Sequence, residues 1–293
     1  INGIRQDEVT QQSLSRASGS STMSTIDLAG KRGFTIESGT TFNITDTAII
    51  NGVASDKGGA IYNNGGTIGT LSGRFDNNCA HNDTNVVQGG AIYNSGTITT
   101  IDATFDSNHI SSNAESGLSE GGVIYNDTNA SITTINGTFT NNKSTSTTNI
   151  VGGVLRNKGT IDTISGTFTN NSLTSTNGGA QGAVISNKGT IKKVSGTFKS
   201  NTATGSTILG VVIVGGDIET IEAVFEDNIG TATTRASGGA ITNSKGTNIG
   251  KIDSTFKNNS LLATNNVSGG AFENSGNTKI LKGLFEGNNI EST

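Results

Sequence analysis

The chain has no proline and no tryptophan, a single cysteine, a single methionine and two histidines in 293 residues. Charged residues make up only 14% and apolar residues only 31%, against roughly 25% and 45–50% in an ordinary globular domain. Each shortage excludes something. Without a second cysteine there is no disulfide framework, and such scarcity suits an exported chain that must not cross-link while unfolded. Without proline there is neither a collagen triple helix, which also needs glycine at every third position, nor a stiff polyproline linker. No run approaches the roughly 18 apolar residues that a membrane-spanning helix requires. So little charge argues against a charge-swollen disordered tail. A net charge of −4 with scattered basic residues argues against nucleic acid or an anionic membrane as partner. What is abundant is glycine, threonine and asparagine: 42, 44 and 35 residues, 121 of the 293. A chain this polar is either disordered or ordered by something other than a large compact core, and repetition is the device to test first.

Phenylalanine marks the repeat. Eight of the eleven fall at Phe75, Phe105, Phe139, Phe168, Phe198, Phe225, Phe256 and Phe285, with a mean spacing of 30. Each is followed three residues later by asparagine: Asn78, Asn108, Asn142, Asn171, Asn201, Asn228, Asn259 and Asn288. Four residues before each Phe stands Leu, Ile or Val, from Leu71 to Leu281, and two before it stands only Gly, Ala or Ser. Seven before it stands isoleucine, until Thr278 breaks the column in the last repeat. Further upstream a fourth element reads GGAIYN at 58–63 and 89–94 and GGVIYN at 121–126, and recurs to GGAFEN at 269–274.

Positions minus four, minus two and zero share one face of a strand, because side chains alternate with period two. That face reads large, tiny, Phe, so each ring has room beside it. Position minus seven has the wrong parity, so the chain must bend between it and minus four, where the intervening pairs (Thr99 and Thr100, Lys192 and Lys193) are polar. Each repeat therefore reads as three short strands, xIxN, GTIxT and xGTFxxN, separated by Gly/Asn corners where positive φ is cheap. Helix is disfavoured by composition and by the lack of a 3.6 period. Identical columns at fixed register mean that like stacks on like. The expected fold is all-β, a parallel β-helix of about eight full rungs stacked roughly 4.8 Å apart. Its Phe and Ile columns form internal ladders and its Asn columns form amide ladders at the corners. A solenoid has only a thin axial core, which fits the low apolar content, and proline would remove a ladder hydrogen bond from a doubly paired strand.

Residues 1–25 are polar and aperiodic and read as a cap or mobile tail. Residues 26–57 alternate like strands without the full motif and read as one or two irregular first rungs, with the repeats proper at 58–293. The chain starts with Ile and stops just after the last FxxN, which suggests an excised piece of a longer protein. The repeats vary mainly at 79–88, 109–120, 143–151, 172–181, 202–209, 229–237 and 260–268, read as Ser/Thr/Asn-rich loops along one edge. Loops of this kind are where solenoids usually carry recognition.

A search for chemistry yields little. Cys79 has His81 two residues away and His109 one rung on, but no carboxylate–His–Cys arrangement recurs, so it reads as a solvated loop cysteine. His81 with Asp83 lacks metal-ligand spacing, the DNN at 76–78 and EDN at 226–228 are FxxN corners, and no metal or cofactor is implied. Stacked carboxylates suit glycoside cleavage. Asp76 over Asp106, or Asp217, Glu219 and Glu222 with Glu226, are candidates, although other repeats carry Thr or Lys there. The seven variable segments also contain no aromatic residue to line a sugar groove. Nine N-x-S/T sequons are expected by chance in so much Asn and Thr. One surface feature stands apart: Tyr62, Tyr93 and Tyr125 occupy one column in successive repeats and read as an exposed aromatic strip, a strand-stabilising stack or a ligand platform. The column continues as Arg156, Ser186, Val214, Thr242 and Glu273.

The GGAIYN…GTI…ISGTFxxN pattern, repeated eight times over about 58–289, resembles the passenger repeats of Gram-negative autotransporters. It is most similar to adhesin-type passengers with GGA(I/V/L) and FxxN repeats, as in the polymorphic outer-membrane protein family. The resemblance implies a right-handed parallel β-helix, export through a C-terminal membrane barrel that this sequence does not contain, and display at the cell surface. It further implies adhesion to a host surface protein or glycan, or self-association between passengers, without catalysis. Repeat six, GVVIVG at 210–215, lacks the usual Gly pair and Asn, and a local bulge is expected there. A polysaccharide-binding or -cleaving β-helix enzyme and an inert stalk are the alternatives.

Overall fold

Threonine- and isoleucine-rich stretches cut by glycine and asparagine offer strands but no helix. The computed structural model describes residues 11–14 and 23–293, and among them there is none. The chain winds as a parallel β-solenoid of about nine turns of roughly 30 residues each. Three sheets run its length. Sheet A takes one ten-residue strand per turn, from Thr41–Ile50 in turn 1 to Asn277–Glu286 in turn 9. The chain then crosses sheet C and returns through the short strands of sheet B, such as Ile92–Asn94 and Ile124–Asn126.

Two features of this wall differ from the sequence reading. GTIxT and xGTF are one bent strand rather than two. The residue six before each Phe (Thr99, Thr133, Asp162 and their equivalents) drops out of the inter-turn pairing in turn after turn. The bend lies where side-chain parity demanded, but the flanking backbone hydrogen bonds continue through it. The third sheet comes instead from the segments read as loops: Cys79–Asn82, His109–Ser112, Lys143–Ser146, Ser172–Ser175, Thr202–Leu209, Ile229–Ser237 and Ser260–Ala263 are strands of sheet C. They alternate inward residues such as Ile110 and Leu173, fully buried, with outward Ser and Thr, so their polar composition hid a strand rather than a loop. Only short pieces, notably 83–87 and 113–117, leave the wall.

The interior is a set of columns. Eight phenylalanines stack ring on ring from Phe75 to Phe285, with centroids 4.7–5.1 Å apart and planes within 12°. Beside them the FxxN asparagines form an unbroken amide ladder. The Asn171 amide nitrogen donates to Asn201 Oδ1 at 2.9 Å and to the Phe139 carbonyl at 3.0 Å. Its Oδ1 accepts from the Asn142 side-chain amide at 2.8 Å and the Asn142 backbone N–H at 3.2 Å. The residue before each asparagine takes positive φ of 51–63° (Asn77, Ser107, Asn141, Asn170, Ser200, Asp227, Asn258, Gly287), turning the corner that aims the amide inward. A second ladder runs Asn63, Asn94, Asn126, Asn157, Asn187 along sheet B at 2.6–2.8 Å.

That second ladder stops at turn 6. There the corner is one residue shorter, VGGD at 214–217 against SNKGT at 186–190. Gly215 and Gly216 both take positive φ, and a Cβ on Gly216 would lie 2.1 Å from the Asn187 amide nitrogen. The amide turns instead to the Asp217 carbonyl. The corner thus tightens rather than bulges. The bulge of this turn lies in sheet C, where pairing shifts between Gly205 and Thr207. At the N-terminal end Gln11–Leu14, within the stretch read as cap or tail, and Ser24–Asp27, across its boundary with the irregular first rungs, both pair with Thr41–Ile50 and add two short strands to sheet A. The rest of 1–22 lies outside the described residues.

Candidate functional site

In sheet B the tyrosine column alternates with inward Ile and Asn, so it must point away from the axis. It is nevertheless sealed: Tyr93 is 3% exposed and Tyr125 1%, and only Tyr62 is half-buried. The exposed strip read from the sequence is therefore corrected. The cause is the glycine pair. Its first member holds φ of 54–68° in every turn, and a Cβ there would come within 2.0–2.6 Å of the carbonyl oxygen three residues on. Only glycine turns so tightly, and the turn folds the segment before it back over sheet B. Lys57, Gln88 and Glu120 of that segment bridge one another in parallel and roof the tyrosines.

The roof and the column interlock. Tyr93 and Tyr125 stack at 5.0 Å with planes 6° apart, and Tyr62 meets Tyr93 edge-on at 5.4 Å. Lys57 Nζ lies 4.3 Å from the Tyr93 ring centre and donates to its hydroxyl at 3.1 Å, while Tyr93 donates to Asp127. Lys158 Nζ donates to the Tyr125 hydroxyl at 3.0 Å. Burial, reinforced by the Asp127 carboxylate at Tyr93 and by Glu120 at Tyr125, raises both phenols above their ordinary value, so they stay protonated. Where the column changes from tyrosine to Arg156, the roof supplies Glu120. Arg156 Nε donates to Glu120 Oε1 at 2.9 Å and Nη1 to Ser186 Oγ at 2.5 Å. Gln88 donates to Glu120 Oε2 at 3.0 Å. Arg156 is 2% exposed and Glu120 6%. Burial lowers the guanidinium pKa and the Glu120 carboxylate opposes that shift. The sequence reading noted Arg156 in the tyrosine column but missed Glu120. The readable signal was an acid directly before the glycine pair in the turn preceding the arginine.

The remaining candidates separate. Cys79 is a buried strand residue paired in register with Val53 and His109, not a solvated loop residue, and burial pushes its thiol up to about 11. It is therefore no thiolate nucleophile at neutral pH. His109 Nδ1 lies 3.2 Å from the Ser107 carbonyl, and exposed His81 lies 3.5 Å from Asp83. Among the described residues no group of three or more His, Cys, Asp or Glu comes together around a metal position. Asp76 stacks on Asp106 in register, and Arg74 spans both, at 2.5 and 3.7 Å. Burial raises Asp76, with Arg74 opposing. Glu222 sits between Lys193 at 2.7 Å and Lys251 at 3.1 Å, which hold its carboxyl below the usual range. A general acid must keep its proton near the working pH, and Glu222 gives its proton up.

The outward face of sheet A is a regular surface of in-register columns. Thr97, Ser131, Thr160 and Thr190 lie in register, as do Thr70, Thr100, Thr134 and Thr163, and Thr104, Thr138, Thr167 and Thr197. Arg74 heads the last of these columns beside Asp76 and Asp106, and from turn 5 charge returns, with Lys192 on Asp162 and Lys199 on Glu226 across adjacent turns. Compared with family models, with curated proteins and with solved structures, the chain matches none.

Proposed function

We propose that the chain is a non-enzymatic rod of the autotransporter-passenger type, displayed outside a Gram-negative cell. It would hold its polar face against a host surface protein or glycan, or against a sister copy. The observation that carries this reading is the in-register threonine array of sheet A in turns 2–6, whose side chains are exposed or half-buried. Such a surface offers many equivalent weak hydroxyl contacts, which multiply when many rods act together. The ion-paired state of Glu222 and the Arg74-bridged state of Asp76 and Asp106 weigh against polysaccharide cleavage. The tyrosines, being roofed, take no part. The test is capture of cells by beads coated at graded density with the protein, beside bead-to-bead clumping. Variants carry glutamate at Thr138 and Thr167, or alanine at the exposed Asp83, Thr84, Asn85, Glu115 and Ser116 of the two short segments. Steep density dependence that the glutamates abolish supports the sheet A face, and loss only on the alanine changes in the two segments moves the site to them. Absence of capture and of clumping at every density sinks adhesion and leaves a stalk.

A further inference from the structure

The ladders that hold this fold together carry no address. Phe139 stacks on Phe105 as Phe168 stacks on Phe139, at 4.8 Å in both cases, and the asparagine ladder repeats the same bonds in every turn. Nothing in those columns distinguishes turn 3 from turn 2 as the bed for turn 4. Two mis-stackings are therefore open. One turn can be left looped out, at an entropic cost that grows only slowly with loop length, or a turn of a second copy can be inserted. Size differences in the inward column of sheet C (Ala80, Ile110, Ser144, Leu173) act through packing alone, which a shifted turn can partly relax, and leave no charge unpartnered.

We propose that the buried Arg156–Glu120 pair is the address that fixes stacking register, rejecting both a slipped turn and a second copy of this chain. The roof residue of one turn meets the column residue of the next: Lys57 with Tyr93, Glu120 with Arg156. Only turn 3 brings a carboxylate to that place. If turn 4 settles on turn 2, the roof residue is Gln88, and Arg156 is buried with no anion while Glu120 is left without its cation. An unpartnered buried charge is among the costliest defects a fold can carry, far above a lost methyl. The pair needs no net stabilising effect to do this. A buried ion pair is often no better than an apolar pair of the same volume, and its best attested use is to specify register.

Two variants test the proposal on the full chain, unfolded in urea and refolded at micromolar concentration. The first, Glu120→Gln with Arg156→Tyr, copies the residues that turns 2 and 3 already carry and erases the address without leaving a buried unpaired charge, since Lys158, 3.8 Å from Glu120 Oε2, is part-exposed. The second, Gln88→Glu with Tyr125→Arg, keeps the address and duplicates it one turn earlier. The native-monomer share is read by gel filtration, and register by hydrogen exchange over 97–126, the turn that loops out on a slip. Both variants are expected to raise the mis-stacked share about tenfold relative to the unaltered chain, as dimers or as monomers with fast exchange in 97–126. Because Gln88→Glu also sets its carboxylate against Glu120 in the second variant, the deciding observation is where exchange is fast: confined to 97–126 with the later turns protected it supports the address, and spread beyond that turn it counts against it. If the first fails to fold, the second decides alone. Wild-type refolding yield and protection in the second variant, or in a folded first variant, overturn the proposal.

Discussion

Replacing Asn171 with alanine cuts the amide ladder at its middle and reads its worth directly. The side chain is fully buried and makes four hydrogen bonds. Alanine leaves the backbone N–H and the amide of Asn142 without their acceptor, while Asn201 Oδ1 keeps the Asn171 backbone N–H at 3.1 Å. Two orphaned buried donors at about 1–3 kcal/mol each give an expected loss of about 2–6 kcal/mol. A solenoid opens locally, so urea unfolding by far-UV circular dichroism is paired with hydrogen exchange, which should show loss of protection around residues 139–142 before the rest. Thr167→Ala on the exposed face of the same turn serves as control and should stay within about 0.5 kcal/mol. Asn171→Asp is informative in sign. Its second oxygen would face two acceptors, the Phe139 carbonyl and Asn201 Oδ1, in a dry site, which raises the folded-state pKa above the roughly 3.9 of the unfolded chain. Between those two values the unfolded chain binds fewer protons than the folded one. Stability therefore falls as pH rises through that window and recovers on acidification. If Asn171→Ala unfolds within 0.5 kcal/mol of the unaltered protein with unchanged exchange, the ladder is decoration and the reasoning fails.

Phe139→Ala removes a fully buried ring stacked at 4.8 Å on both sides and should cost about 3–5 kcal/mol. Phe285→Ala, 46% exposed and stacked on one side only, should cost less than half of that in the same urea titration. Cys79 should resist iodoacetamide in the native state at pH 8 and react readily in urea. Because its folded-state thiol is raised to about 11, stability should fall as pH climbs from the unfolded cysteine value toward that figure. Gly216→Ala should destabilise beyond the ~1–2 kcal/mol of a left-handed alanine, since its Cβ would meet the Asn187 amide at 2.1 Å. Gly39→Ala, at φ 83° with open space around it, should cost only the conformational part; equal losses would show that the turn 6 corner is slack.

Much of the wall was legible because it is written eight times. Parity of the Phe, Leu and Ile columns located the bend between positions minus seven and minus four, and FxxN located the ladder. What parity could not show was whether hydrogen bonding stops at a bend, and it does not. Sheet C was illegible because its inward positions accept Ala, Ser and Gly as readily as Ile. Beside the wide Phe column a small residue leaves no large void, so the alternation at Lys143–Ser146 (KSTS) carries no apolar signal at all. The tyrosine column failed for a different reason. Alternation tells which face a side chain takes, not what lies over that face, and the roof depends on a glycine turn whose sense only the φ angle reveals. Arg156 was visible as an exception, but an exception becomes an ion pair only when the turn before it is known to lie alongside.

The columns that fold this chain and the columns it shows to its surroundings are separate sets of residues. Positions zero, minus four, minus seven and plus three are spent on ladders and tolerate almost no change. Positions minus one, minus five and plus one touch only neighbours on the outer face. The chain exploits that freedom: the plus-one column reads Asp106, Thr140, Thr169, Lys199, Glu226, Lys257 without disturbing the pairing beneath. Sheet B is the exception, because its outward column is roofed and its charges answer to stacking rather than to solvent. A surface that can change without cost to the fold is therefore confined to the outer face of sheet A, the outward positions of sheet C and the exposed residues 83–85 and 115–116 of the two short excursions, whose Val87 and Ala114 are buried. Substitutions there should alter binding while leaving the unfolding curve in place, whereas substitutions in the roofed seam should do the reverse.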